Sequence, residues 1–174
     1  MAQQGKFTGL RVDHVDGLYD PRVYLERLKR EVGDVYLVVE KILHWDEEVP
    51  ANWPIDGTTG YDFLTCVNGI FCNADQRRKL SRIYARFTGL ETSCDDVAIE
   101  KKRLIIGKYM AGDIESLAFQ LKSISSRNRQ AADITLYGLK RALVEVLAFF
   151  PVYRSYVTET SFSVQDRRYL RTAI

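Results

Sequence analysis

The pattern of apolar and polar positions changes its period along the chain, and the changes mark out elements. Thr8 to Val12 is a short apolar run ending in the charged cluster Asp13-His14-Val15-Asp16-Gly17, which predicts a buried strand entering a polar loop. Asp20-Pro21 then supplies a helix cap followed by proline at the first helical position, and Val23, Leu25, Leu28 and Val32 form most of an apolar stripe, so residues 21–32 are predicted helical, with Gly33 as the stop. Val35 to Val39 is an unbroken aliphatic and aromatic run, predicting a strand covered on both faces, and it too ends in an acid, Glu40.

Residues 41–60 carry both tryptophans, Trp45 and Trp53, two prolines and the turn Gly57-Thr58-Thr59-Gly60, and are predicted to form one long loop. Beyond them the helical period dominates: helices are predicted at about 61–72, 75–88, 94–111, 114–128 and 133–149, with Ser93 and Asp113 as caps. Pro151 ends the last of these. Val152 to Val157 predicts a further short strand, and Ser163 with Asp166 the cap of a closing helix.

Strand, helix and strand with an acid after each strand is a βαβ unit. A helical crossover makes the strands parallel and points their carboxyl ends the same way, so Asp13 and Glu40 are expected on one rim. In a (β/α)8 barrel that rim is the catalytic face. The predicted fold is mostly α with a few parallel strands: part of such a barrel (the βαβ unit plus the later strand) with a helical insertion. Three segments follow, a βαβ segment with a long active-site loop over 1–60, a helical insertion over 61–149, and a returning strand and helix over 150–174.

Composition narrows the partners. Of 174 residues, 46% are hydrophobic and 28% charged, a globular balance. The formal net charge is +2 with the basic residues dispersed, which gives no case for a nucleic-acid partner. The longest apolar stretch, Val146 to Val152, is too short to span a bilayer, and Met1 to Lys6 has no apolar run, so neither a membrane anchor nor a signal peptide is expected. Three cysteines, Cys66, Cys72 and Cys94, without a CxxC pair fit a reducing cytoplasm better than a disulfide framework.

Two carboxylic acids on one rim have a use in glycoside chemistry with retention, which needs a pair about 5–5.5 Å apart. One attacks the anomeric carbon and must stay ionised. The other protonates the departing oxygen and later recovers a proton. Arg11 lies two residues before Asp13, and strand alternation puts both side chains on one side, where a guanidinium would hold and orient the carboxylate. Glu40 lies between Val38-Val39 and Lys41-Ile42-Leu43, a largely apolar setting, with Lys41 directed to the opposite face by alternation. The competing reading is that both acids merely end strands and meet solvent. Trp45 and Trp53 either offer indole faces to pyranose rings or close over the core as loop aromatics. Asp16 and Asp20 read as turn and cap residues. Asp13, His14 and Asp16 have metal-ligand chemistry but no remote ligand set accompanies them, so no metal site is assigned.

Gly9-Leu10-Arg11-Val12-Asp13-His14 resembles the nucleophile region of the α-amylase superfamily of glycoside hydrolases, whose pattern is Gly-x-Arg-x-Asp. The longer run Gly9 to Pro21 resembles one branch, the maltooligosyl trehalose synthases. Val38-Val39-Glu40-Lys41-Ile42-Leu43 resembles that branch's acid/base strand, Trp53 to Phe63 the loop that follows, and Phe150 to Tyr156 a later barrel strand. The resemblance implies that Asp13 is the nucleophile and Glu40 the general acid/base, with Arg11, His14, Trp45 and Trp53 as the substrate-binding set and His14 contacting a sugar hydroxyl. It implies conversion of the reducing-end α-1,4 linkage of a maltooligosaccharide or other α-1,4-glucan to an α,α-1,1 linkage by intramolecular transglycosylation, without metal or organic cofactor. It also implies a third carboxylate and earlier barrel strands for which this sequence holds no match, so the chain is expected to be a central fragment, inactive alone and prone to self-association through exposed barrel surface. The alternatives are an α-amylase-type hydrolase fragment and a non-catalytic helical interaction module.

Overall fold

A computed structural model describes residues 4–174. The order of elements is β1 (Gly9–Val12), a 3₁₀ turn (Val15–Gly17), α1 (Pro21–Val32), β2 (Tyr36–Val39), β3 (Gly57–Thr58), α2 (Tyr61–Ile70), a 3₁₀ turn (Ala74–Gln76), α3 (Arg77–Thr88), α4 (Cys94–Tyr109), α5 (Ala111–Ser125), α6 (Leu136–Phe149) and α7 (Val164–Ala173). The chain divides into two compact units, one of residues up to Leu80 with Tyr156–Ser161, the other of Ser81–Ser155 with Phe162–Ile174.

The first unit is built on the predicted βαβ. The Asp20 carboxylate accepts from the Val23 N–H at 3.0 Å and Pro21 stands at the first helical position. Gly33 closes α1 at φ 74°, a conformation that costs a residue with a Cβ. β1 and β2 are parallel, pairing Gly9 with Tyr36, Arg11 with Val38 and Val12 with Val39. The sheet has order β1-β2-β3, with β3 also parallel to β2 through Val38–Gly57 and Val39–Thr58.

β3 was not predicted, since two residues carry no readable period. Side chain and backbone of Asp56 make it possible. Asp56 Oδ2 accepts from the Leu37 N–H at 2.7 Å, and the Asp56 N–H donates to the Leu37 carbonyl at 2.8 Å, extending the ladder with one carboxylate.

The core of this unit is Val15, Leu25, Leu37, Val39 and Trp53, with Leu10, Val12, Leu28, Ile55 and Tyr156 packed around it. Leu25 and Leu37 are fully buried, each contributing about 2 kcal/mol by removal from water. The expectation that β2 is covered on both faces is corrected. Leu37 and Val39 are buried while Tyr36 is 61% exposed, because α1 covers one face only. The other face carries Arg11, Tyr36 and Val38.

The second unit is helical. α4, α5 and α6 share a small core of Ile106, Ile114 and Ala148, lined by Ile99, Leu143, Val144 and Leu147. Arg103 and Glu145 form a two-pronged surface pair, Nε to Oε1 at 3.0 Å and Nη2 to Oε2 at 2.6 Å. That bonding raises the Arg103 guanidinium and lowers the Glu145 carboxyl from their ordinary values. Ser93 caps α4, and Ser163 with Asp166 forms a reciprocal capping box on α7, as the sequence predicts.

Two helix starts and one strand differ from expectation. α5 begins at Ala111, so Asp113 lies in its first turn instead of capping it. Gly112 does not interrupt the helix there, since first-turn N–H groups have no intrahelical acceptor to lose. α6 begins at Leu136 behind the Thr135 cap. Val152 to Val157 is irregular, bending at Val152 and Tyr153, and is not a strand, because no neighbouring strand among the described residues offers it a ladder. Val152 is buried nonetheless.

α2 begins after a left-handed Gly60 at φ 94°. Here the Thr58 hydroxyl donates to Asp62 Oδ1 at 2.7 Å and holds the Asp62 carboxyl below its ordinary value, aided by N–H groups at the helix start and opposed by slight desolvation. A depressed acid stabilises the fold at pH above its unfolded value, and the contribution disappears as pH falls through the folded one. Thr58→Val is expected to return Asp62 toward its ordinary value in an NMR pH titration. A midpoint that stays put shows that the hydroxyl is not the cause.

Candidate active site

The site sits where β1 and β2 end. Arg11 faces Val38 across the ladder, so two residues further along Asp13 faces Glu40, both on the sheet face that α1 leaves open. The Glu40 N–H donates to the Val12 carbonyl at 2.7 Å, carrying the parallel register one step past the strands. Asp13 and Glu40 therefore share one rim, as the sequence predicts.

Arg11 Nη2 lies 2.6 Å from Asp13 Oδ1, with side chains 53% and 70% exposed. The pair is the one strand alternation implies. In water it orients Asp13 more than it stabilises the fold.

His14 adopts φ 46°, the one left-handed non-glycine among the described residues, a conformation uncommon for a side chain of its size. That turn sends its backbone N–H across to Glu40 Oε2 at 2.7 Å. The imidazole folds back over Gly17, where a Cβ would meet its Cδ2 at 2.6 Å, so a side chain at 17 would push the ring aside. Half-buried Glu40 accepts no other hydrogen bond from the protein among the described residues.

The tryptophans part company. Trp45 is 81% exposed, tilted against the His44 ring, with a face available to a sugar. Trp53 is 6% exposed and meets the Tyr156 ring edge-on at 5.0 Å. Assigning Trp53 to substrate binding is corrected: its faces are consumed by the core. The loop arrives at β3 immediately after it, which draws this tryptophan inward.

Lys41 adds what alternation alone does not show. Its side chain is directed to the opposite face, as alternation requires, and there it is a fully buried ammonium. Its Nζ lies 2.7 Å from Glu47 Oε1 and 3.5 Å from Asp16 Oδ2, 5.3 Å above the Tyr156 ring. The Tyr156 hydroxyl donates to Asp16 Oδ1. Asp16, read from sequence as a turn residue, is thus part of a buried ionic cluster. The only local signal was Lys41 alternating with core positions Leu37 and Val39 along one strand parity.

Among the described residues no group of three or more His, Cys, Asp or Glu is arranged to hold a metal ion, and no helix is long and apolar enough to cross a membrane. The three cysteines are free and exposed.

No family model matches the chain. A Mycobacterium tuberculosis protein named as a maltooligosyl trehalose synthase is 41% identical over 81 residues, 46% of this chain and 11% of its own length. The solved maltooligosyltrehalose synthase of Arthrobacter ramosus superposes with TM-score 0.79 at 32% identity, covering 99% of this chain and 20% of its own. A hypothetical maltooligosyl trehalose synthase of Sulfolobus tokodaii gives 0.77 at 33% identity, over 97% of this chain and 21% of its own. Matched in sequence and, almost end to end, in fold, the chain is a homologue of the maltooligosyl trehalose synthases that spans about a fifth of the length of those solved.

Proposed function

We propose that this chain is the part of a maltooligosyl trehalose synthase that supplies the nucleophile, Asp13, and the general acid/base, Glu40, of a retaining intramolecular transglycosylation. The observation that carries the reading is the placement of both acids on one rim of adjacent parallel strands. A retaining pair needs its carboxyl groups roughly 5–5.5 Å apart, a separation that side chains on neighbouring strands, themselves about 4.7–4.9 Å apart, can adopt.

Asp13 carboxylate attacks C1 of the penultimate glucosyl unit, and the bond from that carbon to O4 of the terminal glucose breaks. Glu40 gives its proton to O4. The His14 N–H at Oε2 favours placing that proton on the other oxygen, Oε1. The freed glucose turns, its anomeric hydroxyl attacks C1 of the glycosyl ester, Glu40 takes that proton, and Asp13 is released. Two inversions leave an α,α-1,1 linkage. Holding the glucose beside the ester lets it outcompete water through effective concentration. Arg11 orients Asp13, His14 contacts a sugar hydroxyl, and Trp45 packs on a pyranose face.

In this reading residues 1–60 and 150–174 contribute to a (β/α)8 barrel and 61–149 form an insertion. The open sheet face bearing Arg11, Tyr36 and Val38 is the one a closed barrel would fill. A maltooligosaccharide is the substrate, no cofactor is required, and a reducing cytoplasm suits the exposed free cysteines.

The isolated 174-residue chain is expected to make no trehalosyl product from maltopentaose. The same segment substituted for its counterpart in the Arthrobacter ramosus enzyme is expected to restore product. Product from the isolated chain would overturn its expected inactivity, and a folded chimera that binds maltopentaose without converting it would overturn the assignment.

Uncovered apolar surface also supports self-association of the isolated chain. α2 buries no residue, and Phe63, Ile70, Phe71 and Phe87 are 72–90% exposed. Light scattering is expected to give an apparent mass that rises with concentration. A constant monomer mass would refute this.

A further inference from the structure

Three segments of the first unit converge on one buried ammonium. Asp16 comes from the 3₁₀ turn after β1, Glu47 from the loop after β2, and Tyr156 from the remote stretch that returns to this unit. Lys41 and both carboxylates are at most 8% exposed at their side chains. Each half of the His14–Glu40 hydrogen bond adjoins this cluster. Lys41 is the residue after Glu40, whose own N–H is tied to Val12. Asp16 lies two residues beyond His14, whose carbonyl accepts from the Gly17 N–H at 3.0 Å.

We propose that Lys41 is a positioning residue for the acid/base carboxyl, its buried ammonium drawing Asp16 and Glu47 together so that His14 and Glu40 meet at the carboxyl ends of β1 and β2. Glu40 is fixed by a backbone bond on one side and a clamped neighbour on the other. His14 is held in a left-handed turn whose third residue, Asp16, cannot move without leaving Lys41 and Tyr156. An apolar side chain of similar volume would fill the same space. A buried ion pair seldom out-stabilises such a replacement. What the charges supply instead is direction, since each carboxylate is drawn to one point.

The proposal rests on reading Glu40 as the acid/base, but its test does not pass through activity. In the full 174-residue chain, hydrogen exchange of the His14 amide reports the bond to Glu40 directly. The triple variant Lys41→Met/Asp16→Asn/Glu47→Gln removes the charges without stranding one. It is expected to speed His14 exchange at least about tenfold while the Tyr36 and Asp56 amides keep their protection, a local opening and not a global one. Tyr156→Phe, which removes a single oxygen from Asp16, is expected to move His14 in the same direction by a smaller factor. Should the triple variant not fold, Tyr156→Phe carries the test. Unchanged His14 exchange in the folded triple variant, or in Tyr156→Phe where it alone folds, makes the cluster merely structural. A chimera without transglycosylation would overturn the assignment of Glu40 and leave the exchange result as it stands.

Discussion

Lys41→Met alone is expected to destabilise the first unit by about 3–5 kcal/mol, the usual cost of removing one partner from a buried ion pair. The side chain is fully buried, so water cannot replace the lost ammonium, and Asp16 and Glu47 are left facing each other in a dry space. Against a typical total of about 5–15 kcal/mol, the loss takes from about a fifth to all of the margin. For a unit of under about 100 residues it corresponds to a fall in Tm of roughly 12–40 °C. Two units need not unfold together, so a local reporter is required. Trp53 packs on Tyr156 inside the same cluster, and Trp45, 81% exposed, is the other tryptophan. In a Trp45→Phe background, fluorescence reads Trp53 alone. Its urea midpoint is expected to fall sharply with Lys41→Met and to recover most of the loss when Asp16→Asn and Glu47→Gln are added. A midpoint lowered by less than about 1 kcal/mol would mean that the cluster behaves as a surface pair.

That cluster also marks where the sequence stops being legible. Elements coded by neighbours were readable: Asp20 with Pro21, Ser93 with Asp96 and Ser163 with Asp166 each start a helix through bonds spanning three residues. The βαβ unit was readable because its strands are continuous apolar runs broken by charge. The rim shared by Asp13 and Glu40 followed from the parity of parallel strands. Lys41 was not readable, because its burial depends on partners far along the chain, Tyr156 among them. Trp45 and Trp53 are chemically identical in a loop, and only the arrival of β3 sends one into the core. Residues 152–157 have strand composition, but a strand exists only where another edge accepts it. The roles proposed for Asp13 and Glu40 rest on a motif, since spacing alone left solvent-facing strand ends as a rival.

The two carboxyl roles can be separated by the stereochemistry of rescue in the Arthrobacter chimera. Asp13→Gly and Glu40→Ala are each expected to cut turnover of maltopentaose by at least about 10²–10⁴-fold, the range for loss of a positioned acid or base. Rate loss alone does not say which group attacks carbon. An α-maltosyl fluoride donor and added azide do, because fluoride leaves without needing a proton. With Glu40→Ala, Asp13 still displaces fluoride to form the β-linked ester, and azide then displaces Asp13 to give the α-azide, net retention. With Asp13→Gly there is no ester. Azide enters the vacated space, displaces fluoride in one step, and gives the β-azide, net inversion. The logic follows from counting displacements at C1, two in one variant and one in the other. Reversed products would exchange the roles of the two residues. The same anomer from both variants, in a chimera that remains folded and binds substrate, would mean that neither acid is the nucleophile and that the shared rim of β1 and β2 does not carry the covalent step.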